Sequence, residues 1–205
     1  MSKGEKTHKH IVREASGVFN RFGYGATPVS AIMSATGMKK GGLYNQFLSK
    51  EELAVESFRF NVATVADFLR ATIESTDDPM ERLRRLLGAS LFIAEGRVVP
   101  GGCPVLNAAV ESDDAIPVMR KEAARSARKV RTFIRLQIDA ARDAGVLRRD
   151  VDSGQLSYFF LASLEGGIML AKLHGVPDPL EAVIHNLNAI IDTLATDGAG
   201  SRKIH

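Results

Sequence analysis

A chain of 205 residues with an apolar fraction of 45% can bury a sizeable core but is short for two large domains. No run of consecutive apolar residues approaches the roughly 20 needed to span a bilayer, residues 1–10 lack the apolar stretch of a secretory signal, and a single cysteine excludes an intrachain disulfide; a cytoplasmic chain with no membrane partner is expected. The net charge of +3 is small, yet residues 1–50 hold eight Lys or Arg against two acids while the remainder hold 19 against 22, so the head of the chain is the part suited to a polyanion.

Apolar residues recur at helical spacing almost throughout, and no segment reads as a strand. An all-α chain of about nine helices is expected. The first helix is predicted over 7–22, with Ile11, Ala15, Val18, Phe19 and Phe22 in one stripe and Gly23-Tyr24-Gly25 ending it. Thr27 as cap and Pro28 in the first position predict the start of a short second helix, which Gly37 breaks. A third short helix is predicted over 39–47. Ser49 and Glu52 have capping-box spacing and open a long fourth helix to about 75. The fifth runs from Asp78-Pro79 to about 95, followed by a Gly/Pro-rich loop over 96–102. The sixth is predicted over 103–111, the seventh over 116–144, the eighth over 152–174 and the ninth over 178–196, with a polar tail at 197–205.

Two short helices meeting at Thr36-Gly37-Met38 have the layout of a helix-turn-helix. The second must protrude to enter a major groove, and its exposed face must carry donors and small residues. Lys39, Lys40, Gly41, Gly42, Tyr44, Asn45 and Gln46 meet that need, while Leu43 and Phe47, four apart, anchor the helix. Glycines inside a helix are unfavourable by about 1 kcal/mol each against alanine. Close approach of backbone to DNA offsets this, or tight helix packing does; for Gly42 the sequence leaves both readings open.

Ile11, Ala15, Phe19, Phe22-Gly23-Tyr24, Thr27, Val29, Ile32, Ala35, Gly37, Gly41, Leu43-Tyr44, Phe47 and Lys50-Glu51-Glu52-Leu53 fall in one ungapped stretch. In these residues the chain resembles the DNA-binding domain of the tetracycline-repressor (TetR/AcrR) family. One departure is Lys39, where the family often places a capping Ser or Thr. The resemblance implies a DNA-binding domain over 1–50 and a ligand-binding and dimerisation domain over 51–205. It implies that Thr27, Tyr44 and Lys50 contact phosphates, which sets register without reading sequence. Lys39, Lys40 and Asn45, with Gly41 permitting close approach, are the candidates at base edges, and His8 and Lys9 for adjacent backbone.

In the body, the eighth helix is apolar almost all round, so both sides need cover. With the ninth (Leu180, Val183, Ile184, Leu187, Ile190, Ile191, Leu194) it reads either as monomer core or as half of a four-helix homodimer interface through 152–174 and 178–196; the resemblance implies the dimer. A symmetric pair places two recognition helices one DNA turn apart, on a near-palindromic double-stranded operator. The seventh helix carries eight bases, read as a solvated face before a second nucleic-acid surface.

The segment from Gly101 to Glu111 resembles one found in a subset of the family, where it leads a helix lining the ligand cavity. The candidate lining residues are Phe92, Cys103, Leu106, Asn107, Phe133, Phe159, Leu164 and Met169, with Asn107 and Glu165 as polar groups among mostly apolar ones. The expected function is a repressor released by a small-molecule effector; an activator, or a redox or electrophile sensor acting through Cys103, are the alternatives. Cys103 near a helix start is either a lowered-pKa thiol or a buried, inert one. No phosphate-binding loop, zinc spacing among His8, His10, His174, His185 and His205, or Ser-His-Asp set is legible, so neither catalysis, metal nor cofactor is expected.

Overall fold

The computed structural model describes residues 2–112 and 116–196. The described residues form nine α-helices: α1 (Lys3–Phe22), α2 (Val29–Thr36), α3 (Lys40–Tyr44), α4 (Lys50–Glu74), α5 (Pro79–Ala94), α6 (Pro104–Glu111), α7 (Pro117–Asp143), α8 (Ser153–His174) and α9 (Asp178–Leu194). The expected all-α fold is what the chain adopts, with an isolated bridge between Leu147 and Ala195 as its extended pairing among these residues.

Capping chemistry sets most of the boundaries. α1 begins four residues before its expected start because Ser2 and Glu5 form a capping box: Glu5 N–H donates to Ser2 Oγ at 3.2 Å and Ser2 N–H to Glu5 Oε2 at 2.6 Å. α2 lacks the threonine cap expected of it. Pro28 holds the cap position, and the Thr27 hydroxyl donates instead to Gly23 O at 2.5 Å. At the start of α4, Glu52 N–H donates to Ser49 Oγ at 3.1 Å, but the Glu52 carboxylate accepts from Leu48 N–H rather than closing the box on Ser49. Asp78 Oδ1 accepts from Met80 and Glu81 N–H ahead of α5, and Asp152 accepts from Gln155 N–H ahead of α8. Gly37 and Gly175 end α2 and α8 in the left-handed conformation, with φ of 67° and 72°.

Packing divides the chain into two compact units, residues 1–66 with 95–127, and 67–94 with 128–205. The division falls within α4 and α7, and α6 is part of the first unit. In the first unit Ile11, Ala15, Phe19, Ile32, Leu43, Phe47, Leu53 and Phe58 form a buried cluster that also takes in Ala108 of α6 and Met119 of α7. Tyr24 stacks 6.0 Å from Phe19 and meets Phe58 edge-on at 5.7 Å.

In the second unit α5, α8 and α9 pack on one another. Leu83, Leu86 and Leu87, Phe160, Leu164 and Ile168, and Leu180, Leu187 and Ile191 are all buried, each contributing about 1.5–3 kcal/mol by leaving water. Gly167 lets α8 and α9 approach: a Cβ there would lie 2.9 Å from Leu180 Cδ1 and 3.2 Å from Leu180 Cα, whereas one on Gly166 would meet open space. α8 is long and apolar enough, by length and composition, to cross a bilayer, although only 33% of the stretch is buried within the chain. The expectation concerned an unbroken apolar run, and α8 has none; it reaches the threshold only on average hydropathy. Ser157, Ser163 and Glu165 break up its apolar run without cancelling its average hydropathy. Its outer face leaves Tyr158, Phe159, Met169, Leu170 and Leu173 exposed. On α7, Arg120, Lys121, Arg125, Arg128 and Lys129 are exposed, as a solvated face requires.

Candidate nucleic-acid interface

Five residues make α3 too short to hold its shape alone. Leu43 and Phe47, both buried, fix it to α1, α2 and α4. Their burial turns the opposite face outward: Lys39, Lys40, Gly41, Tyr44 and Asn45 are all exposed, Tyr44 by 43%. Lys39 stands at the cap position without a side-chain cap hydrogen bond, so its ammonium is left for solvent or a polyanion. A Cβ on Gly41 would meet nothing within 4 Å, while one on Gly42 would lie 2.8 Å from Met38 Cε. The two glycines therefore differ: Gly42 makes room for Met38, and Gly41 leaves its backbone open from outside.

Lys50, the first residue of α4, donates from Nζ to Gly25 O at 2.5 Å and Thr27 O at 3.1 Å. With Tyr44 and Ser49 it borders a shallow surface dip otherwise lined by Val29, Ile32, Leu43, Phe47 and Leu53. Thr27 is placed otherwise than expected. It is fully buried, its hydroxyl held by the turn, and no side-chain atom is exposed toward a phosphate. His8 is also engaged inside the head: Nε2 lies 2.7 Å from Glu56 Oε2 and the ring centroid 4.4 Å from that of Phe47. Lys9 is exposed.

Sequence reasoning missed how α6 meets the head. The Glu111 carboxylate accepts from the N–H groups of Tyr24 at 2.5 Å, Gly25 at 2.6 Å and Ala26 at 3.2 Å. Asn107 Nδ2 lies 3.1 Å from Asn20 O, 3.1 Å from Asn20 Oδ1 and 3.0 Å from Gly101 O. The Asn20 amide in turn donates to Pro100 O and Gly102 O. The paired glycines in Gly23-Tyr24-Gly25 were the available signal, since glycine also marks places where another group approaches the backbone closely. Below this turn the Tyr24 hydroxyl donates to Asn20 Oδ1 at 3.2 Å. Burial pushes the Tyr24 phenol well above its ordinary range, against the lowering effect of the Asn61 amide.

The expected ligand-lining residues fall in both units. Cys103, Leu106 and Asn107 lie in the first, where Cys103 is buried at the cap position of α6 and Asn107 is used as described above. Phe92, Phe133, Phe159, Leu164 and Met169 lie in the second. Leu164 is buried there, Phe92 packs its ring 6.0 Å from Phe68, and Phe159 and Met169 are half-exposed on the outer face of α8. Glu165 lies half-buried on the same helix.

Two family models match this chain: one described as bacterial regulatory proteins of the tetR family over residues 11–56, and one described as a tetracyclin repressor-like C-terminal domain over residues 79–187. The chain is 28% identical over 175 residues to the HTH-type transcriptional repressor DhaR of Mycobacterium sp. (strain GP1), covering 84% of this chain and 86% of that protein. It is similar to the crystal structure of a TetR transcriptional regulator from Chloroflexus aurantiacus J-10-FL, with a TM-score of 0.89 and 33% identity over 95% of this chain and 98% of that one. A TetR-family regulator from Cytophaga hutchinsonii gives a TM-score of 0.90 at 26% identity over 96% and 98% of the two chains. With the head and body both matched, and α3 presented outward by a buried anchor, this chain belongs to the tetR family of helix-turn-helix, DNA-binding transcription regulators.

Proposed function

We propose that the chain is a homodimeric repressor that binds a near-palindromic operator and lets go when a small molecule occupies its C-terminal domain. The observation that carries the reading is the exposed face of α3, with Lys39, Lys40, Gly41, Tyr44 and Asn45 outward and Leu43 and Phe47 buried behind it. On this reading Tyr44 and Lys50 bind phosphates from the rim of the dip beside α3. Asn45 pairs with adenine and Lys39 or Lys40 with guanine at the base edges. Gly41 admits the DNA backbone because no side chain stands in the way.

Dimerisation is supported by the outer face of α8. Tyr158, Phe159, Met169, Leu170 and Leu173 expose apolar area in a single chain, interleaved with the small residues Ala162 and Gly166. Small residues between large ones let a second pair of helices pack closely. The similarity to DhaR, itself called a repressor, favours repression over activation. Release requires an effector that binds the DNA-incompetent state better, and a coupling of only about 1–3 kcal/mol changes operator affinity about 5–150-fold. The test is to map the enriched operator against its promoter and titrate a metabolite panel into the complex. An operator overlapping the promoter and one metabolite that dissociates the complex are expected. A site far upstream that raises transcription, with no metabolite acting, would contradict the repressor reading.

A further inference from the structure

We propose that Glu111 is a positioning residue for DNA binding: from the C-terminal end of α6 it clamps the turn between α1 and α2 and so sets the pose of the helix-turn-helix. The inference rests on the DNA-binding reading above and adds the part of the chain that holds the head in place.

Three features of the contact carry it. First, one carboxylate takes three consecutive backbone N–H groups, those of Tyr24, Gly25 and Ala26. Converging amides of this kind form an anion-binding nest, and the hydrogen bonds are charge-assisted. These donors lie just ahead of α2, where a negative charge also suits the helix dipole. Second, the backbone is shaped around the carboxylate. Gly23 has φ +99° and a Cβ on it would lie 2.8 Å from Glu111 Oε1, while a Cβ on Gly25 would lie 2.9 Å from Ile116 Cδ1 and 3.2 Å from Glu111 Oε1. At Gly23 both the positive φ and the carboxylate exclude a side chain, and at Gly25 a side chain would press on Ile116 and crowd Glu111. Third, Glu111 does not act alone on α6. One helical turn earlier Asn107 grips the carbonyl and side chain of Asn20 near the end of α1, so α6 holds both sides of the turn.

The segment that does this lies by sequence in the C-terminal family domain, residues 79–187, yet packs as one compact unit with the head. A displacement of α6 therefore has a direct route to α2 through backbone hydrogen bonds, with α3 following through the α2–α3 turn. This is a positioning role, because Glu111 carries the wrong charge to touch phosphate.

That sign supplies the test. Duplex enriched by the wild-type chain from a randomised library is titrated with wild type, Glu111→Gln and Glu111→Asp. Electrostatics alone predicts that Glu111→Gln, having lost a negative charge near a polyanion, binds as tightly or tighter. The clamp predicts the reverse: binding weaker by about tenfold or more, the equivalent of one hydrogen bond to a charged group, with an unchanged salt slope because no phosphate contact is lost. Hydrogen exchange on the wild-type chain gives a reading that needs neither variant nor DNA. The amides of Tyr24, Gly25 and Ala26 are expected to be protected and to open together with those of α6. Undiminished affinity in Glu111→Gln, or exchange of those three amides at free-turn rates, overturns the proposal. Failure of the wild-type chain to enrich any duplex would instead remove the DNA-binding reading and leave the exchange result to decide on the clamp.

Discussion

The Lys50 ammonium donates to the Gly25 carbonyl oxygen across 2.5 Å, so the first residue of α4 holds the turn from which α2 departs. The same nitrogen reaches Thr27 O. The cation therefore braces the head, and the proposed function gives it a phosphate as well. Lys50→Ala is expected to weaken every duplex by a similar factor, to reduce the slope of log K against log[salt] by about 1, and to lower the melting temperature. A lowered melting temperature with affinity and slope intact would confine Lys50 to the turn.

Tyr44 and Asn45 are neighbours with different expected signatures. Tyr44→Phe removes the proposed phosphate donor and should weaken binding evenly across sequences. Asn45→Ala should lose about 1–3 kcal/mol of discrimination at one base pair in each half-site and little elsewhere. Binding profiles over a randomised operator distinguish the two; a uniform loss for both variants would take base reading away from Asn45.

Two glycines give opposite predictions on stability. Gly41→Ala places a methyl in open space and should raise stability to denaturant by up to about 1 kcal/mol while weakening DNA binding. Gly101 has φ +94° and a Cβ there would sit 2.7 Å from the backbone oxygen of Asn20. Gly101→Ala should therefore destabilise by about 1–3 kcal/mol or more. Equal melting temperatures for the two variants would contradict this placement of the 96–102 loop.

The outer face of α8 is assigned to a second copy of the chain. Leu173 is 75% exposed and Met169 47% exposed in the single chain, so a charge at either position leaves the subunit's own core intact. Leu173→Glu with Met169→Glu is expected to sediment as a folded monomer and to bind operator at least tenfold more weakly than wild type, because each half-site is then held alone. A dimeric double variant would move the interface elsewhere.

Much of the fold was legible because its boundaries are written in local chemistry. Gly37, Asp78, Pro79 and Asp152 each start or stop a helix by capping or by conformational preference, and the expected ends lie within a few residues of the observed ones. Thr27 shows the limit of that reasoning. Its side chain suited a cap, but Gly23 O four residues earlier was the nearer partner once the turn closed. Ser2 and Glu5 escaped notice because a capping box at a chain terminus resembles any polar tail.

The outward face of α3 was legible from residue types at helical spacing, since burial of Leu43 and Phe47 dictates what faces outward. The link from α6 was not, because Glu111 meets Tyr24 across 87 residues of sequence and periodicity carries no information about such a partner. The ligand-lining set was the least legible. Whether an apolar residue such as Phe159 or Leu164 faces a cavity, a core or a partner depends on which side of α8 it occupies, and an all-round apolar helix leaves that open.

Enrichment from a randomised duplex library, followed by sequencing, tests the central claim most directly. Two copies of α3 related by two-fold symmetry predict a near-palindrome whose half-sites are about 10 base pairs apart centre to centre, or a multiple of that, bound with a steep loss of affinity as salt rises. An enriched site without symmetry, or no salt-sensitive binding to any duplex, would contradict it.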